Sequence, residues 1–102
     1  MSILDSYCEI TDYVQTACFE LAYDSSAESN YPSLFNKARR TGVRDIKGWL
    51  ADELYNDRTT VRDLVGDRLY DLLRSLGEDP LDKETWERHM TALSKYIPAL
   101  IK

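Results

Sequence analysis

Glycine, histidine and cysteine are scarce in this chain: its 102 residues include four glycines, one histidine and two cysteines. Phosphate-binding loops of the Walker and dinucleotide types need several glycines at fixed spacing, and no such run is present. The G-x-S-x-G turn of serine hydrolases is also missing. His89 has no second histidine and no cysteine in a ligand pattern near it, which argues against a zinc site. We therefore expect no metal and no cofactor, and we expect His89 at the surface or rim of its helix.

The two cysteines do not indicate an oxidising compartment. Cys8 and Cys18 fall in one predicted helix, ten residues apart, which separates them by about 15 Å along the helix axis. A disulfide tolerates at most about 7 Å between α-carbons, so the two thiols cannot bond to each other. Both lie on the apolar arc of that helix, and we expect both to be buried and reduced.

Long hydrophobic runs are absent as well, and none approaches the roughly 20 residues that a membrane span requires. The first ten residues, MSILDSYCEI, contain acids and no basic lead, unlike a secretory signal. With 43% hydrophobic and 30% charged residues, the composition is typical of a soluble globular protein. We expect a single cytoplasmic domain over residues 1–102, without membrane contact.

Apolar residues recur at helical spacing along most of the chain. The strongest pattern covers residues 60–77, where five leucines and two valines fill about half of the helical wheel. Further helices are predicted at residues 3–23, 32–40 and 43–56 and from residue 82 onward, with a loop at 24–30. The fold class is therefore all-α, a single-domain bundle of about five helices, three of them long. We expect the helix at 60–77 to be the most buried, with Leu69 and Leu72 nearly inaccessible.

Local signals predict how these helices begin and end. One of the two threonines at the start of the fourth helix can serve as its cap. Asp82 is placed to cap the last helix, and Leu81 and Trp86 to form a hydrophobic staple across its first turn. Pro98 cannot donate to the helix ladder, so a kink or a stop should fall before it.

The third and fourth predicted helices each carry a charge within the apolar arc, Glu53 and Arg68 respectively. A buried charge is costly unless it is paired, so we expect each to find a partner inside the bundle, unless Arg68 lies at the rim. Gly48, inside the third helix, could permit the close approach of a neighbouring helix. The short turn between the two helices makes them antiparallel neighbours or the arms of a tight corner.

Charge is unevenly distributed along the chain. The net charge is −5, and residues 1–36 carry six acids but no base. Four of these acids share the side of the first helix that lies opposite its apolar arc: Asp5, Glu9, Asp12 and Glu20. Like charges at helical spacing slightly destabilise an isolated helix. This acidic face is either a solvated surface or a docking face for a basic partner.

Residues 37–47 reverse the sign of the charge. Five basic residues stand there against Asp45 alone: Lys37, Arg39, Arg40, Arg44 and Lys47. This basic segment could bind a nucleic acid, and the third and fourth helices can be drawn as a helix-turn-helix. The second of those helices would, however, present Asp63, Asp67 and Asp71 to the phosphates, which is electrostatically unfavourable. Alternatively, the basic segment bridges to the acidic face within the same molecule.

The same three aspartates form a row at positions i, i+4 and i+8 of one helix. Two-metal helical phosphohydrolases use carboxylate pairs on facing helices, so a metal-dependent phosphohydrolase is a remote alternative. Two features oppose it. Arg74 projects into the same row, and only Asp52 and Glu53 offer a matching pair elsewhere.

Seven tyrosines are many for this length, and tyrosine is enriched in protein–protein interfaces. A small, acidic, all-helical chain without catalytic motifs resembles, in size and charge only, bacterial toxin-immunity proteins and phage inhibitors of host defence. We therefore expect a binding protein rather than an enzyme, an inhibitor or adaptor whose partner is a protein with a basic surface. A nucleic-acid-associated regulator that uses residues 37–47 is the alternative, and the oligomeric state is left open.

Overall fold

The computed structural model describes residues 2–101, and all of their regular structure is helical. Six α-helices and a terminal 3-10 turn follow one another: α1 (Ile3–Tyr23), α2 (Ala27–Asn30), α3 (Pro32–Arg40), α4 (Ile46–Tyr55), α5 (Arg58–Ser75), α6 (Lys83–Leu93) and the turn Pro98–Ile101. The predicted all-α fold is confirmed. The helices number six rather than five because the predicted loop at 24–30 contains the one-turn helix α2. None of the helices within 2–101 is both long and apolar enough to cross a membrane.

Side-chain caps determine where four of the helices begin. The capping residues, whose oxygens accept a backbone N–H from three residues further on, are Ser2, Asp45, Asp57 and Asp82. The cap predicted at Asp82 is confirmed. The cap predicted at a threonine before α5 is wrong, because the Asp57 carboxylate accepts the Thr60 N–H at 3.0 Å and starts the helix two residues earlier. Gly77, with φ of 77°, ends the last turn of α5 in the left-handed conformation.

Helix α4 packs along the C-terminal half of α1 and runs in the opposite direction. At one end of this interface, the Gln15 amide nitrogen lies 3.5 Å from the Tyr55 hydroxyl oxygen. At the other end, the Lys47 ammonium lies 5.9 Å from the centroid of the Tyr23 ring. The inaccessible side chains of this half of α1 include two small ones, Cys18 and Ala22.

Helix α5 packs along the N-terminal half of α1, again in the opposite direction. The Arg68 guanidinium, midway along α5, lies 4.2 Å from the centroid of the Tyr13 ring. Nearer the end of α5, Ser75 lines the same groove as Ser6 of α1. Helices α4 and α5 therefore follow each other along α1, and the turn between them does not form a hairpin. This arrangement gives the molecule its elongated shape, 47 Å by 22 Å by 22 Å.

The core draws one side chain per helical turn from α1 and from α5. The inaccessible or nearly inaccessible side chains of these two helices are Tyr7, Ile10, Val14, Cys18, Ala22, Val61, Val65, Leu69 and Leu73. The burial predicted for Leu69 is confirmed, but the burial predicted for Leu72 is wrong. Leu73 is fully inaccessible, whereas Leu72 is half-buried because it faces the outer edge of the α1–α5 interface.

Helix α6 and the terminal turn cover α5. Trp86 lies against Gly66, where an added Cβ would stand 3.5 Å from the indole ring. Helix α6 ends at Leu93 and the 3-10 turn begins at Pro98, so the predicted stop before the proline is confirmed. The predicted staple is wrong, because Leu81 is 81% exposed. Its backbone N–H donates to the Asp79 carboxylate at 2.9 Å, in a turn that leaves the leucine side chain in solvent.

Two further predictions about small residues are wrong. Cys8 is exposed, because the buried stripe of α1 runs through Tyr7 and turns the next position outward. Gly48 does not admit a neighbouring helix. A Cβ at that position would lie 2.2 Å from the carboxylate of Asp45, the cap of its own helix. Cys18 is buried as predicted, and burial raises the pKa of its thiol to about 11.

Candidate functional site

The acidic face predicted on α1 is exposed along its whole length. Within residues 2–101, none of its four carboxylates makes an ion pair. The arginines of the basic segment do not reach them. The predicted role of this face in binding a partner stays a prediction, but its charges are accessible and unneutralised by the fold.

A groove of about 620 Å³ runs between α1 and α5, and the middle of the acidic face forms one of its edges. Its floor consists of the buried Ile10 and the half-buried Tyr13 and Leu72. Exposed carboxylates stand on both sides of this floor. We call the site the acidic groove, and its charged edges are Glu9 and Asp12 on α1 and Asp71 on α5.

Helical spacing explains why these side chains share one groove. Glu9 and Asp12 are three residues apart, which places them on one side of α1. On α5, Asp71 and Leu72 follow Arg68 by three and four residues. Since the two helices run in opposite directions, the row on each helix faces the row on the other along the groove.

Arg68 is the single basic residue that lines the acidic groove. Its guanidinium lies 4.2 Å from the centroid of the Tyr13 ring, within the range of a cation–π contact. It makes no ion pair in the described part of the chain, neither with Glu53 nor with the carboxylates beside it. Of the two predictions for Arg68, the rim position is therefore the correct one, and Glu53 is half-buried at a separate site.

The groove has a negative electrostatic balance, since three carboxylates surround one guanidinium. Low-dielectric walls concentrate such a field and raise the local concentration of positively charged ligands. Asp5 and Glu20 extend the same sign beyond the two ends of the groove on α1. A cationic, partly apolar group is the chemistry that this surface fits.

Sequence reasoning located the α1 edge of the groove but missed the α5 edge. The spacing of Asp71 places it in a row with Asp63 and Asp67, and the number of tyrosines does not single out Tyr13. The available signal was that Arg68 and Leu72 lie on the apolar arc of α5 beside Asp71. That mixture of charge and leucine at helical spacing indicates a partly covered edge.

The basic segment is partly used by the fold and spreads over two helices. Arg39 forms an ion pair with Glu28 of α2 and lies 5.7 Å from the centroid of the Phe35 ring. Lys47 lies over Tyr23 at the opposite end of α1 from the groove. The remaining members, Lys37, Arg40 and Arg44, are exposed. The predicted bridge from this segment to the acidic face is not formed.

The aspartate row of α5 does not converge on a metal position. Asp63, Asp67 and Asp71 are exposed along one helix. In the part of the chain that the structure describes, no three histidine, cysteine, aspartate or glutamate side chains are grouped so that they could hold a metal ion. The matching pair considered on α4, Asp52 and Glu53, therefore completes no such group.

His89 lies in the core, and the prediction of a surface or rim histidine is wrong. It is 7% exposed, with Nδ1 2.7 Å from the Tyr7 hydroxyl and Nε2 3.0 Å from a carboxylate oxygen of Glu78. Arg88 donates to the other oxygen of that carboxylate at 2.8 Å. Burial raises the pKa of the Tyr7 hydroxyl. This network joins α1, α6 and the turn between α5 and α6, through partners too distant in sequence for spacing to predict.

No protein-family model matches the chain, and no curated protein or solved structure matches it either. Function therefore has to be inferred from the described side chains, and the acidic groove is the site on which we base the inference.

Proposed function

We propose that the protein is a small binding protein that acts by occupying a basic surface of another protein, as an inhibitor or adaptor. One observation carries the proposal. The acidic groove combines an apolar floor with three carboxylates that the fold leaves without a counter-ion.

The arginine–glutamate ion pairs of this chain lie outside the groove. Three side-chain pairs join an arginine to a glutamate: Arg39–Glu28, Arg62–Glu87 and Arg88–Glu78. None of them involves an acid of the groove. Mixed charges at helical spacing would add a few tenths of a kcal/mol to α1, and the unmixed acidic edge gives up that stability.

The size of the surface is adequate for a specific complex. A standard interface buries about 800 Å² of each partner, and the protein exposes 6518 Å² in total. Helix α1 has 21 residues and is therefore about 31 Å long. The groove together with the acidic residues beyond its ends can supply the required area from one side of the molecule.

The alternative, a nucleic-acid-associated regulator, uses the basic segment instead. A shallow depression lined by Ser33, Asn36, Arg39 and Arg40 is its most concave part. Arg39 is already paired with Glu28. The net charge of −5 opposes approach to a polyanion, so this alternative ranks second.

Charge reversal tests the proposal. The Glu9→Lys/Asp12→Lys variant changes the groove, and Asp52→Lys/Asp63→Lys makes the same change in net charge at exposed positions outside it. The probe is a synthetic amphipathic helix with arginines and leucines on one face. At low ionic strength we expect the groove variant to bind it about tenfold more slowly, or worse, with an unchanged melting temperature.

The control variant should lose much less of the association rate. High salt should reduce the differences in association rate among the two variants and the unmodified protein, because it screens their charges. Equal losses in both variants would mean that net charge alone attracts the probe. In that case the groove is a solvated surface and the proposal is wrong. Salt-dependent binding of duplex DNA, lost in Arg40→Glu/Arg44→Glu, would favour the alternative.

A further inference from the structure

We propose that Arg68 occupies, in the free protein, the position that an arginine of the partner takes in the complex. The inference rests on the proposed function and names the group that the acidic groove recognises. The partner is an amphipathic helix that presents an arginine between apolar side chains.

The position of Arg68 shows that the groove accommodates a guanidinium. The group lies over the face of the Tyr13 ring, 4.2 Å from its centroid, and it is bound to no carboxylate. Its side chain is exposed. An exposed side chain held by a single stacking contact can rotate away without disturbing the core.

Arginine fits this site better than lysine for reasons of shape. A guanidinium is planar and weakly hydrated, so it stacks on an aromatic face and donates hydrogen bonds from its edge at the same time. Glu9, Asp12 and Asp71 line the same groove and favour a positive charge there, although none of them forms an ion pair with Arg68 itself.

The shape of the groove favours a helical partner. It is bounded by two helices that run in opposite directions, and a third helix can lie along such a channel with apolar side chains at i and i+3 or i+4 on the floor. Ile10, Tyr13 and Leu72 provide that floor. Charge complementarity requires the flanks of the incoming helix to be basic.

The experiment compares two substitutions that each remove one positive charge from α5. Arg68→Met empties the position over Tyr13, and Arg74→Met does the same to an exposed arginine outside the groove, over Tyr70. Two probe peptides are used: a basic amphipathic helix with one central arginine, and the same helix with citrulline, the neutral isostere, in its place. Equilibrium affinity is measured for all four combinations and for the unmodified protein.

We expect Arg68→Met to bind the arginine peptide about two- to fivefold more tightly than Arg74→Met does, the equivalent of one exposed cation–π contact. The citrulline peptide should show no such difference. In the Arg68→Met background, Tyr13→Leu should abolish the preference for arginine over citrulline, while Tyr13→Phe should retain it because the aromatic face remains.

Equal affinities of Arg68→Met and Arg74→Met would overturn the inference, and so would weaker binding by Arg68→Met, which would make Arg68 part of the recognition surface. Either result is distinguishable from failure of the proposed function. If reversal of Glu9 and Asp12 still abolishes binding, the groove is the binding site and only the role of Arg68 is wrong. If that reversal has no effect beyond its control, both proposals are wrong.

Discussion

Helix α1 meets α4 and α5 in two different ways. Against α4 it presents the small, inaccessible side chains of Cys18 and Ala22, and the interface is closed. Against α5 it presents Tyr13 opposite Arg68 and Leu72, and the outer edge of the interface opens into the acidic groove. The apolar stripe of α1 is continuous through both halves. The size and charge of the residues beside the stripe therefore decide whether an interface is closed core or an accessible surface.

The same contrast holds for the acids of the molecule. Glu28, Glu78 and Glu87, which lie away from the groove, are each paired with an arginine. The acids of the groove are not. Within the described residues, exposed acids outside the groove, such as Asp63 and Asp67, are also without an ion pair, so the groove acids differ from them by bordering an apolar floor.

The largest difference is expected in thiol reactivity, because α1 carries one exposed and one buried cysteine. Cys18 is inaccessible and burial raises its pKa to about 11, while Cys8 is exposed. Because pH 8 lies three units below this pKa, only about one Cys18 thiol in a thousand is ionised at pH 8. We expect an alkylating reagent to label Cys8 rapidly and Cys18 orders of magnitude more slowly, as measured by mass spectrometry.

Cys18→Ala serves as the control, since it should remove the slow phase and leave the fast one. Labelling of Cys18 should become rapid when the protein is unfolded in urea. Equal rates for both cysteines in the native protein would show that the α1–α4 interface is not closed.

A smaller difference is expected within α5, where one of two neighbouring leucines lies in the core and the other lies at the acidic groove. Leu73 is fully inaccessible and Leu72 is half-buried at the groove. Leu73→Ala should lower the free energy of unfolding by about 2–5 kcal/mol, as for other leucines in closed cores. Leu72→Ala should cost about 1 kcal/mol, because solvent already reaches the site and little cavity is left.

Urea denaturation of the two variants measures the difference directly. Both replace leucine by alanine in the same helix, so the change in helix propensity cancels. A larger loss for Leu72→Ala than for Leu73→Ala would mean that the groove is part of the core.

Periodicity predicted the helices well and their surroundings less well. The predicted limits of the first helix agree with those of α1, and Asp82 begins α6, because caps and apolar spacing are local properties. The apolar arc of α5 fills half of its wheel, so spacing alone could not tell whether Leu72 or Leu73 would be covered. That depends on where α1 lies, which is a long-range property.

The site shows the same division between local and long-range information. The acidic edge on α1 follows from charge spacing in one helix, and it was predicted. The groove needs Tyr13 and Arg68 to meet, 55 positions apart, and the His89 network needs Tyr7, 82 positions away. Sequence spacing does not predict pairs at these separations, whereas the packing of α5 on α1 brings the first pair together and the position of α6 beside α1 brings the second.

Nuclear magnetic resonance can show directly whether the protein binds a basic helix in the acidic groove. The amide signals of the 15N-labelled protein are followed while the arginine-containing peptide is added. We predict that the largest shifts map to residues 6–16 of α1 and 68–75 of α5, and that the amide signals of residues 37–47 shift little. Shifts concentrated in the basic segment, or along the α1–α4 interface, would contradict it.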